Sequence, residues 1–382
     1  MNALTAPAPG LLDRLRGLHA RLVADPRFRR WAIRFPPTRP VARRQARVLF
    51  DLCAGFVYSQ VLLACVRLRL FAMLHAEGPM TVAALAPRLG LEEEAAARLL
   101  GAAASLGLLA QQRDGRYALG PLGAAMVGDE GLQAMVEHHA VLYEDLRDPV
   151  ALLRGERGGA GGLQRLWPYS RAERPAELAA EDVADYSALM AASQTMIAED
   201  VLDAVPLHRH RCLMDVGGGE GVFLSAAGAR APDLRLVLFD LPAVADRARA
   251  RFARAGLEPR ATAVGGDVFR DELPRGADLV SLVRVLHDHD DAAALAILRA
   301  VRRALPSDGT LLLAEPMAGT AGAEPIGEAY FGFYLLAMGQ GRARSAAEID
   351  GMLRQAGFGP GRQLRTRMPL LVRALVARPA SS

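Results

Sequence analysis

Two short stretches bring together residue types that can do chemistry. The first is Arg284-Val285-Leu286-His287-Asp288-His289-Asp290-Asp291, which follows an apolar run at 278–283. A histidine just past a strand end is suited to general-base work, because its ordinary pKa of about 6.5 leaves it able to take a proton near neutral pH. Glu315 closes the next apolar run. A carboxylate there can hold the imidazole in one tautomer and stabilise the cation that forms. The same run could be read as a metal site made of His287, Asp288, His289, Asp290 and Asp291. However, it opens a helix, where adjacent side chains diverge, and Asp290 and Asp291 suit the positive end of that helix. No metal is expected. The plainer alternative for His287 is a helix-start histidine bonded only to backbone.

The second stretch is Leu213-Met214-Asp215-Val216-Gly217-Gly218-Gly219-Glu220-Gly221. An apolar run ends in Asp215 and breaks into a glycine-dense turn, and an apolar helical pattern starts at Val222. Gly217, Gly219 and Gly221 let the backbone turn tightly and approach a ligand. Val222 stands where a dinucleotide fingerprint wants Gly or Ala, so the loop suits a nucleotide-like ligand without clear provision for a pyrophosphate. An acid at the strand end suits a ligand carrying an ammonium group. Asp240, 25 positions on, ends the next strand, where an acid meets ribose hydroxyls. The competing reading makes it a cap for the helix that begins at Pro242. Asp267 follows Gly265-Gly266 and can accept from an adenine amino group, with Val268 and Phe269 facing the ring. Arg284 is placed on the same cofactor wall. The loop resembles the first motif of methyltransferases that use S-adenosylmethionine, which is therefore the expected cofactor.

The elements that must position these groups follow from periodicity. From Cys212 onward, strands at 212–216, 234–239, 261–264, 278–283 and 310–314 alternate with helices at 220–230, 242–255 and 291–304. That alternation predicts a doubly wound, Rossmann-like parallel sheet. A helix at 345–356 behind Ser345, a tight turn near 357–361 and strand-like segments at 362–366 and 370–377 close the chain with an antiparallel insertion. The first half reads as helical. Residues 43–75 form a long apolar pattern, and Thr81 caps a helix over 82–89 that Gly90 ends. A second helix runs over 92–106, and two short strands flank Asp114-Gly115. This is a winged-helix shape, which can bind DNA. The second helix carries Glu92, Glu93 and Glu94 and only Arg98, so phosphates would repel it. A dimerisation domain of that shape is the better reading, and no nucleic-acid partner is expected. A long helix covers 181–204, and 154–162 reads as a glycine-rich surface loop. His208 and His210 read as surface residues. The expected domains are 1–204, helical arm and winged-helix dimerisation domain, and 205–382, cofactor-binding domain.

The chain has 382 residues, is 51% hydrophobic and carries a net charge of +4. It has no lysine, so all 46 basic residues are arginine. Residues 1–50 hold 11 of them against Asp13 and Asp25, for a net +9, and the remainder is net −5. The body is thus not generally basic; the arm is. Leu11, Leu12, Leu15, Leu18 and Leu22 share one helical face with Arg14, Arg16 and Arg21 away from it. Such an arm can rest on an anionic membrane, at about 1 kcal/mol per basic residue near the surface, or pack on its own dimer. The first ten residues lack a charged start followed by an apolar run, so a cytoplasmic protein is expected, with the arm as a point of membrane association. The segment 52–66 is short for a span and reads as a buried helix. Cys53, Cys65 and Cys212 read as core residues.

The segment Ala329–Met338, with Phe331, Tyr334 and Met338, is apolar and aromatic. With Tyr186, Met190, Gln194 and Met196 from the long helix it can line a greasy acceptor pocket. Few ionisable groups interrupt it, which points to an uncharged acceptor. Phe56 and Tyr58 lie on an apolar helix that can cross to a partner subunit.

Asp215–Gly221, Phe239-Asp240-Leu241-Pro242, Gly265-Gly266-Asp267, Leu286-His287-Asp288 and Glu315 together resemble the caffeate/acetylserotonin type of O-methyltransferase, over nearly the whole chain. The resemblance implies that His287 is the proton acceptor, that Asp240 and Asp267 bind the cofactor, and that the protein is a metal-independent homodimer. The segments 55–61, 186–193, 283–290 and 330–338 resemble the bacterial carotenoid branch of that family. That implies methylation of the 1-hydroxyl of an acyclic hydroxycarotenoid. Two departures from the plant pattern stand out: His289 replaces a tryptophan that stacks on the cofactor, and Ala343 replaces a second glutamate beside the histidine. An aromatic polyketide or other phenol is the alternative acceptor, and a winged-helix DNA-binding regulator is the alternative outside enzymes.

Overall fold

The computed structural model describes residues 10–156, 159–167, 177–179, 181, 184–369 and 371–380. The chain divides into two compact units, one through Ala124 and one from Ala125 onward.

The first unit holds α1 (Leu11–Ala24), α2 (Pro26–Arg34), α3 (Arg39–Arg67), α4 (Leu70–Glu77), α5 (Val82–Leu89), α6 (Glu93–Ser105) and the hairpin β1 (Leu109–Gln111) and β2 (Tyr117–Leu119), and it runs into the short α7 (Pro121–Ala125). Local chemistry sets these boundaries. Thr81 accepts from the Ala84 N–H to start α5, and Gly90, at φ 66°, ends it in the left-handed region. Asp114 accepts from Arg116 N–H to close the hairpin, whose strands pair antiparallel from Leu109↔Leu119 to Gln111↔Tyr117. Leu70, Phe71, Leu74, Leu85, Leu89, Leu100 and Leu109 are buried here. The winged-helix order is the one read from the sequence. On α6, Arg98 pairs with Glu94 at 2.9 Å.

Helix α3 departs from expectation. Leu63, Cys65 and Val66 are buried, but Leu49, Phe50, Leu52, Phe56 and Val57 stay exposed. The segment read as a buried helix is therefore buried only at its end, and its remaining apolar face stays exposed among the described residues. Cys53, expected in the core, is exposed as well. By length and hydropathy α3 could cross a membrane.

The second unit begins with the helices α8 (Glu130–Asp145), α9 (Pro149–Arg154), α10 (Gly162–Leu166) and α11 (Ala184–Asp203). These helices belong to the same unit as the sheet, whereas the switch to alternating strands and helices, which sets the expected boundary at 204/205, comes after them. The glycine-rich stretch 154–162 includes Arg157 and Gly158, which lie outside the described residues. Then come β3 (Cys212–Val216), α12 (Val222–Arg230), β4 (Arg235–Asp240), α13 (Pro242–Arg254), β5 (Ala261–Gly265), β6 (Leu279–Val283), α14 (Asp291–Ala304), β7 (Thr310–Glu315), β8 (Met317–Ala318), a π-helical segment (Pro325–Phe331), α15 (Gly332–Met338), β9 (Arg344–Ser345), α16 (Ala346–Gln355), β10 (Arg362–Gln363) and β11 (Arg373–Ala377).

Seven of these strands form one sheet in the order β10-β11-β7-β6-β3-β4-β5. Strands β3 to β7 run parallel, and β11 pairs antiparallel with β7, as the closing turn required. Alternate residues feed two apolar layers. Leu311 and Leu313 pack with Ile297, Val301 and Ile349 on one face. Leu312 and Ala314 pack with Val201, Phe223 and Phe252 on the other. The strand order reverses at β3, so the crevice beyond the carboxyl ends of β3 and β6 is where such a sheet takes its ligand.

At the opposite end of β3, Asp278 accepts from Cys212 N–H (2.7 Å) and Arg211 N–H (3.0 Å) and meets His210 Nδ1 at 3.1 Å. His210, read as a surface residue, is thus half-buried and paired. Replacing Asp278 with alanine orphans these donors. We expect Asp278→Ala to lose about 1–3 kcal/mol in urea denaturation while S-adenosylhomocysteine still binds, since the cleft lies at the far end of the strands.

Candidate active site

The glycine loop takes its shape from left-handed backbone. Gly217, Gly219 and Gly221 have φ of 69°, 59° and 78°. A Cβ on Gly221 would sit 2.7 Å from the Phe252 ring, so this glycine lets α12 pack closely, whereas a Cβ on Gly219 meets nothing within 4 Å. Gly219 faces open space, and that space is a cavity of about 410 Å³. Its walls include Gly217–Glu220, Asp240, Leu241, Asp267, Val268 and Phe269, with Arg284, Asp288 and His289 on the β6 side and Met190 and Gln194 from α11. The volume falls within the range of small-molecule and cofactor sites.

Asp240 lies on this wall. Its Oδ2 accepts from Gly219 N–H at 2.8 Å and its Oδ1 from Leu241 N–H at 2.7 Å. It therefore fixes the loop and also helps start α13, joining the two readings made from sequence. Burial pushes its carboxyl up to about 6 despite these two donors. Asp215 sits beneath the loop rather than on the cavity wall. It is buried, its Oδ1 accepts from Ser281 Oγ at 2.6 Å, and its Oδ2 has no hydrogen-bond partner among the described residues. Burial raises its carboxyl to about 7, with the neighbouring Asp240 adding to the rise. Asp267 accepts from Phe269 N–H at 2.9 Å and lies 3.6 Å from Arg270. Asp240 on the wall and Asp215 beneath the loop, both with ionisation disfavoured by their surroundings, suit a ligand that brings positive charge and hydroxyl donors. S-adenosylmethionine carries both.

Phe269 and His289 close the rim edge-to-face, with ring centroids 5.5 Å apart. His289 thus occupies the wall where the plant pattern has tryptophan. Arg284 is one of two non-glycine residues at positive φ among those described, at 58°. Its guanidinium donates to Ser193 Oγ at 2.8 Å and approaches Met190 Sδ at 3.6 Å, so it ties β6 to α11 while lining the cavity.

His287 is buried beside this cleft. Its Nδ1 lies 2.7 Å from Glu315 Oε2, and its Nε2 lies 3.2 Å from Asp288 Oδ1. The other oxygen of Glu315 accepts from Val285 N–H (3.0 Å) and Leu286 N–H (2.7 Å). One carboxylate therefore holds both the turn and the ring. Burial alone would lower the imidazole pKa, but Asp288 and Glu315 outweigh it and the net shift is upward. Burial likewise raises the carboxyl of Asp288. The Asp288 carboxylate, not expected as a partner of the ring, stands at Nε2, and position 343 is an alanine packed against the Phe331 cluster.

Three groups of supporting residues were also missed. Arg344, 2% exposed, donates to Leu286 O (2.6 Å) and His289 O (2.7 Å) and pairs with Asp291 at 2.8 Å. Gly341 and Arg342 back the same turn, with Arg342 N–H donating to His287 O at 2.8 Å. His138 and His139 on α8 meet Tyr334 and Tyr330 hydroxyls at 2.9 and 2.8 Å. Burial lowers both histidines, His138 to about 4 with help from His139, and raises Tyr330 to about 12. This polar layer is uncharged at neutral pH. The run Gly341-Arg342-Ala343-Arg344 was legible only as an absent glutamate, and the adjacent histidines stood in no recognisable spacing.

Of the residues assigned to an acceptor pocket, Met190 and Gln194 line the cavity itself. Phe331, Tyr334 and Met338 instead form an apolar cluster with Leu142, Leu163, Trp167 and Ala343. Phe331 meets the His287 ring edge-on, with centroids 5.8 Å apart. The side chains of Tyr186 and Met196 lie outside the described residues. No group of three metal-binding side chains is gathered among the described residues.

If Asp240 must be ionised to accept from a bound ligand, affinity depends on pH with a defined sign. S-adenosylhomocysteine is expected to bind more weakly as pH falls through about 6, the raised value of Asp240. In Asp240→Asn that dependence should flatten and affinity at pH 8 should drop about tenfold or more, measured by calorimetry.

Comparisons with known proteins agree with this geometry. Residues 143–359 match the model of an O-methyltransferase domain, and residues 50–129 match an O-methyltransferase dimerisation domain. The chain is 48% identical to demethylspheroidene O-methyltransferase of Cereibacter sphaeroides, covering 94% of this chain and 93% of that protein. It is 42% identical to the protein of the same name from Rhodobacter capsulatus, covering 90% and 85%. Among solved structures, CalO1, a methyltransferase of calicheamicin biosynthesis in SAH-bound form, superposes with a TM-score of 0.72 at 27% identity, covering 88% of this chain and 98% of that one. The match to a dimerisation domain explains the exposed apolar face of α3 from Phe50 onward: it is built for a second subunit. This chain belongs to the S-adenosylmethionine-dependent O-methyltransferases that carry an N-terminal dimerisation domain.

Proposed function

We propose that the protein methylates the hydroxyl of an acyclic hydroxycarotenoid, with His287 as the general base. The observation that carries the reading is the placement of His287 between Glu315 and Asp288, beside the cofactor cleft and against an apolar, uncharged cluster. The names of the two relatives supply the acceptor class.

Bound in the cleft, S-adenosylmethionine supplies an activated methyl group on a sulfonium that leaves as a neutral thioether. The chain's own residues then have three tasks. The first is to hold the acceptor oxygen in line with that methyl and keep water out. Phe331, Tyr330, Tyr334 and Trp167 suit a long hydrocarbon, and the neutral His138 and His139 layer imposes no charge on it. The second is to take the proton. With Nδ1–H donating to Glu315, Nε2 is the proton-accepting atom, and the acceptor hydroxyl has to reach it alongside Asp288 Oδ1, which stands 3.2 Å away. As the acceptor oxygen took the methyl from the departing thioether, its hydroxyl proton would pass to Nε2. The third is to stabilise the resulting cation, which Glu315 and Asp288 do from opposite sides of the ring. A tertiary alcohol is a weaker acid than a phenol, so a base with raised affinity for the proton suits it.

The raised pKa has a kinetic sign. His287 must be neutral to accept, so turnover should rise with pH through a limb above the ordinary histidine value of about 6.5. His287→Ala should reduce methyl transfer from labelled cofactor by about 100- to 10,000-fold and abolish that limb. Near-normal turnover in this variant would remove His287 from its role. Deleting the gene should leave carotenoids with free hydroxyls in extracted pigments, and an unchanged carotenoid profile would shift the acceptor to a phenolic metabolite.

A further inference from the structure

The family's dimerisation model starts at residue 50, which leaves the described residues 10–49 outside it. They form α1, α2 and the first part of α3, and their chemistry differs from that of the rest of the chain. All five leucines of the α1 stripe are exposed: Leu11 75%, Leu12 70%, Leu15 54%, Leu18 56% and Leu22 42%. No residue of α1 is buried. At 100° per residue, Leu11, Leu15, Leu18 and Leu22 fall on one line, with Arg14 and Arg21 along one border and Arg16 along the other.

Helix α2 repeats the pattern with aromatic residues. Phe28, Trp31 and Phe35 follow at spacings of three and four, and Trp31 stacks on Phe35 with centroids 4.9 Å apart. Trp31 and Phe35 nevertheless remain 50% and 42% exposed. Arg27, Arg30 and Arg34 run beside them. Arg39 folds back onto the carbonyls of Ile33 and Arg34 and pins the end of this helix. In all, residues 1–50 carry eleven arginines against Asp13 and Asp25.

We propose that this arm is a docking surface for an anionic lipid bilayer, lying in the headgroup plane. Charge complementarity selects that occupant. A second copy of the chain would bring an arm of the same net +9 against this one, whereas an anionic leaflet neutralises it. The apolar stripe selects a lipid over a nucleic acid, because exposed leucines gain nothing on a phosphate backbone but enter the acyl boundary of a bilayer. Tryptophan beside arginine is the composition that settles at that interface. With 14 residues, α1 spans about 21 Å, too short to cross a hydrocarbon core of about 30 Å, so it lies on the surface. The inference stands on residues 10–49 alone and holds whether the acceptor is a carotenoid or another compound.

The test is flotation of the full-length chain with phosphatidylcholine vesicles, with and without about 30% phosphatidylglycerol. At least tenfold more protein should float with the anionic vesicles, the excess should fall with added salt, and Trp31 emission should shift to the blue. Trp31→Phe should abolish that shift. Leu15→Glu/Leu18→Glu and, separately, Arg27→Gln/Arg30→Gln should each abolish anionic flotation while S-adenosylhomocysteine still binds and the dimer persists. Equal flotation with both vesicle types, or none with either, would overturn the proposal. So would full displacement from vesicles by duplex DNA at matched phosphate, or dissociation of the dimer by the leucine variant, which would assign this face to a second subunit.

Discussion

One buried carboxylate organises the reacting end of the sheet. Glu315, at the end of β7, takes the N–H groups of Val285 and Leu286 on one oxygen and the His287 ring on the other. Those two backbone donors belong to a turn that leaves β6 through Arg284 in a left-handed conformation rarely adopted outside glycine. Without an acceptor at that point the turn would carry unsatisfied buried donors, each costing about 1–3 kcal/mol. Ring orientation and loop shape are thus set by the same group. Arg344 and Gly341 press on the turn from the other side, so the imidazole is clamped before any ligand arrives. This is the preorganisation that lets a general base act without first being assembled.

Electrostatics extend the same logic outward. The cofactor side of the cleft gathers acids whose ionised forms are disfavoured by burial, Asp215 and Asp240. The apolar cluster next to it gathers polar groups that burial keeps neutral, His138, His139, Tyr330 and Tyr334. Acids thus gather at the cofactor cleft, and uncharged polar groups gather in the neighbouring apolar cluster. His287 sits at the seam and has carboxylates on two sides. A transient positive charge on its ring is matched on arrival.

Much of this was legible in the sequence, and what was missed has physical reasons. Strand positions were readable because both faces of a parallel sheet are buried and its strands read as continuous apolar runs ending in acids. Asp240 and Asp267 were found because they stand at strand ends on the cavity wall. Asp215 was found by the same rule, yet its carboxylate turns under the loop toward Ser281, which no spacing reveals. Asp288 was seen as a possible metal ligand and as part of a shared motif but not as a partner of Nε2, because that approach depends on how the turn closes. Arg344 was invisible as a support: a buried guanidinium on backbone carbonyls leaves no motif. The aromatic segment at 329–338 was read as pocket wall, and the structure packs it as an apolar cluster that reaches the site through Phe331. Helix α3 misled in the opposite sense, since an apolar helix reads the same whether its partner is its own core or a second subunit.

Catalysis by this residue turns on Glu315 and Asp288 raising the proton affinity of the His287 imidazole above that of a free histidine. Nitrogen-15 NMR of selectively labelled protein reports that titration and the tautomer directly. The expected result is a pKa above about 6.5, with the neutral form protonated on Nδ1, and a fall in pKa in Glu315→Gln. A His287 that titrates below about 6.5, or whose neutral form carries its proton on Nε2, would contradict the account.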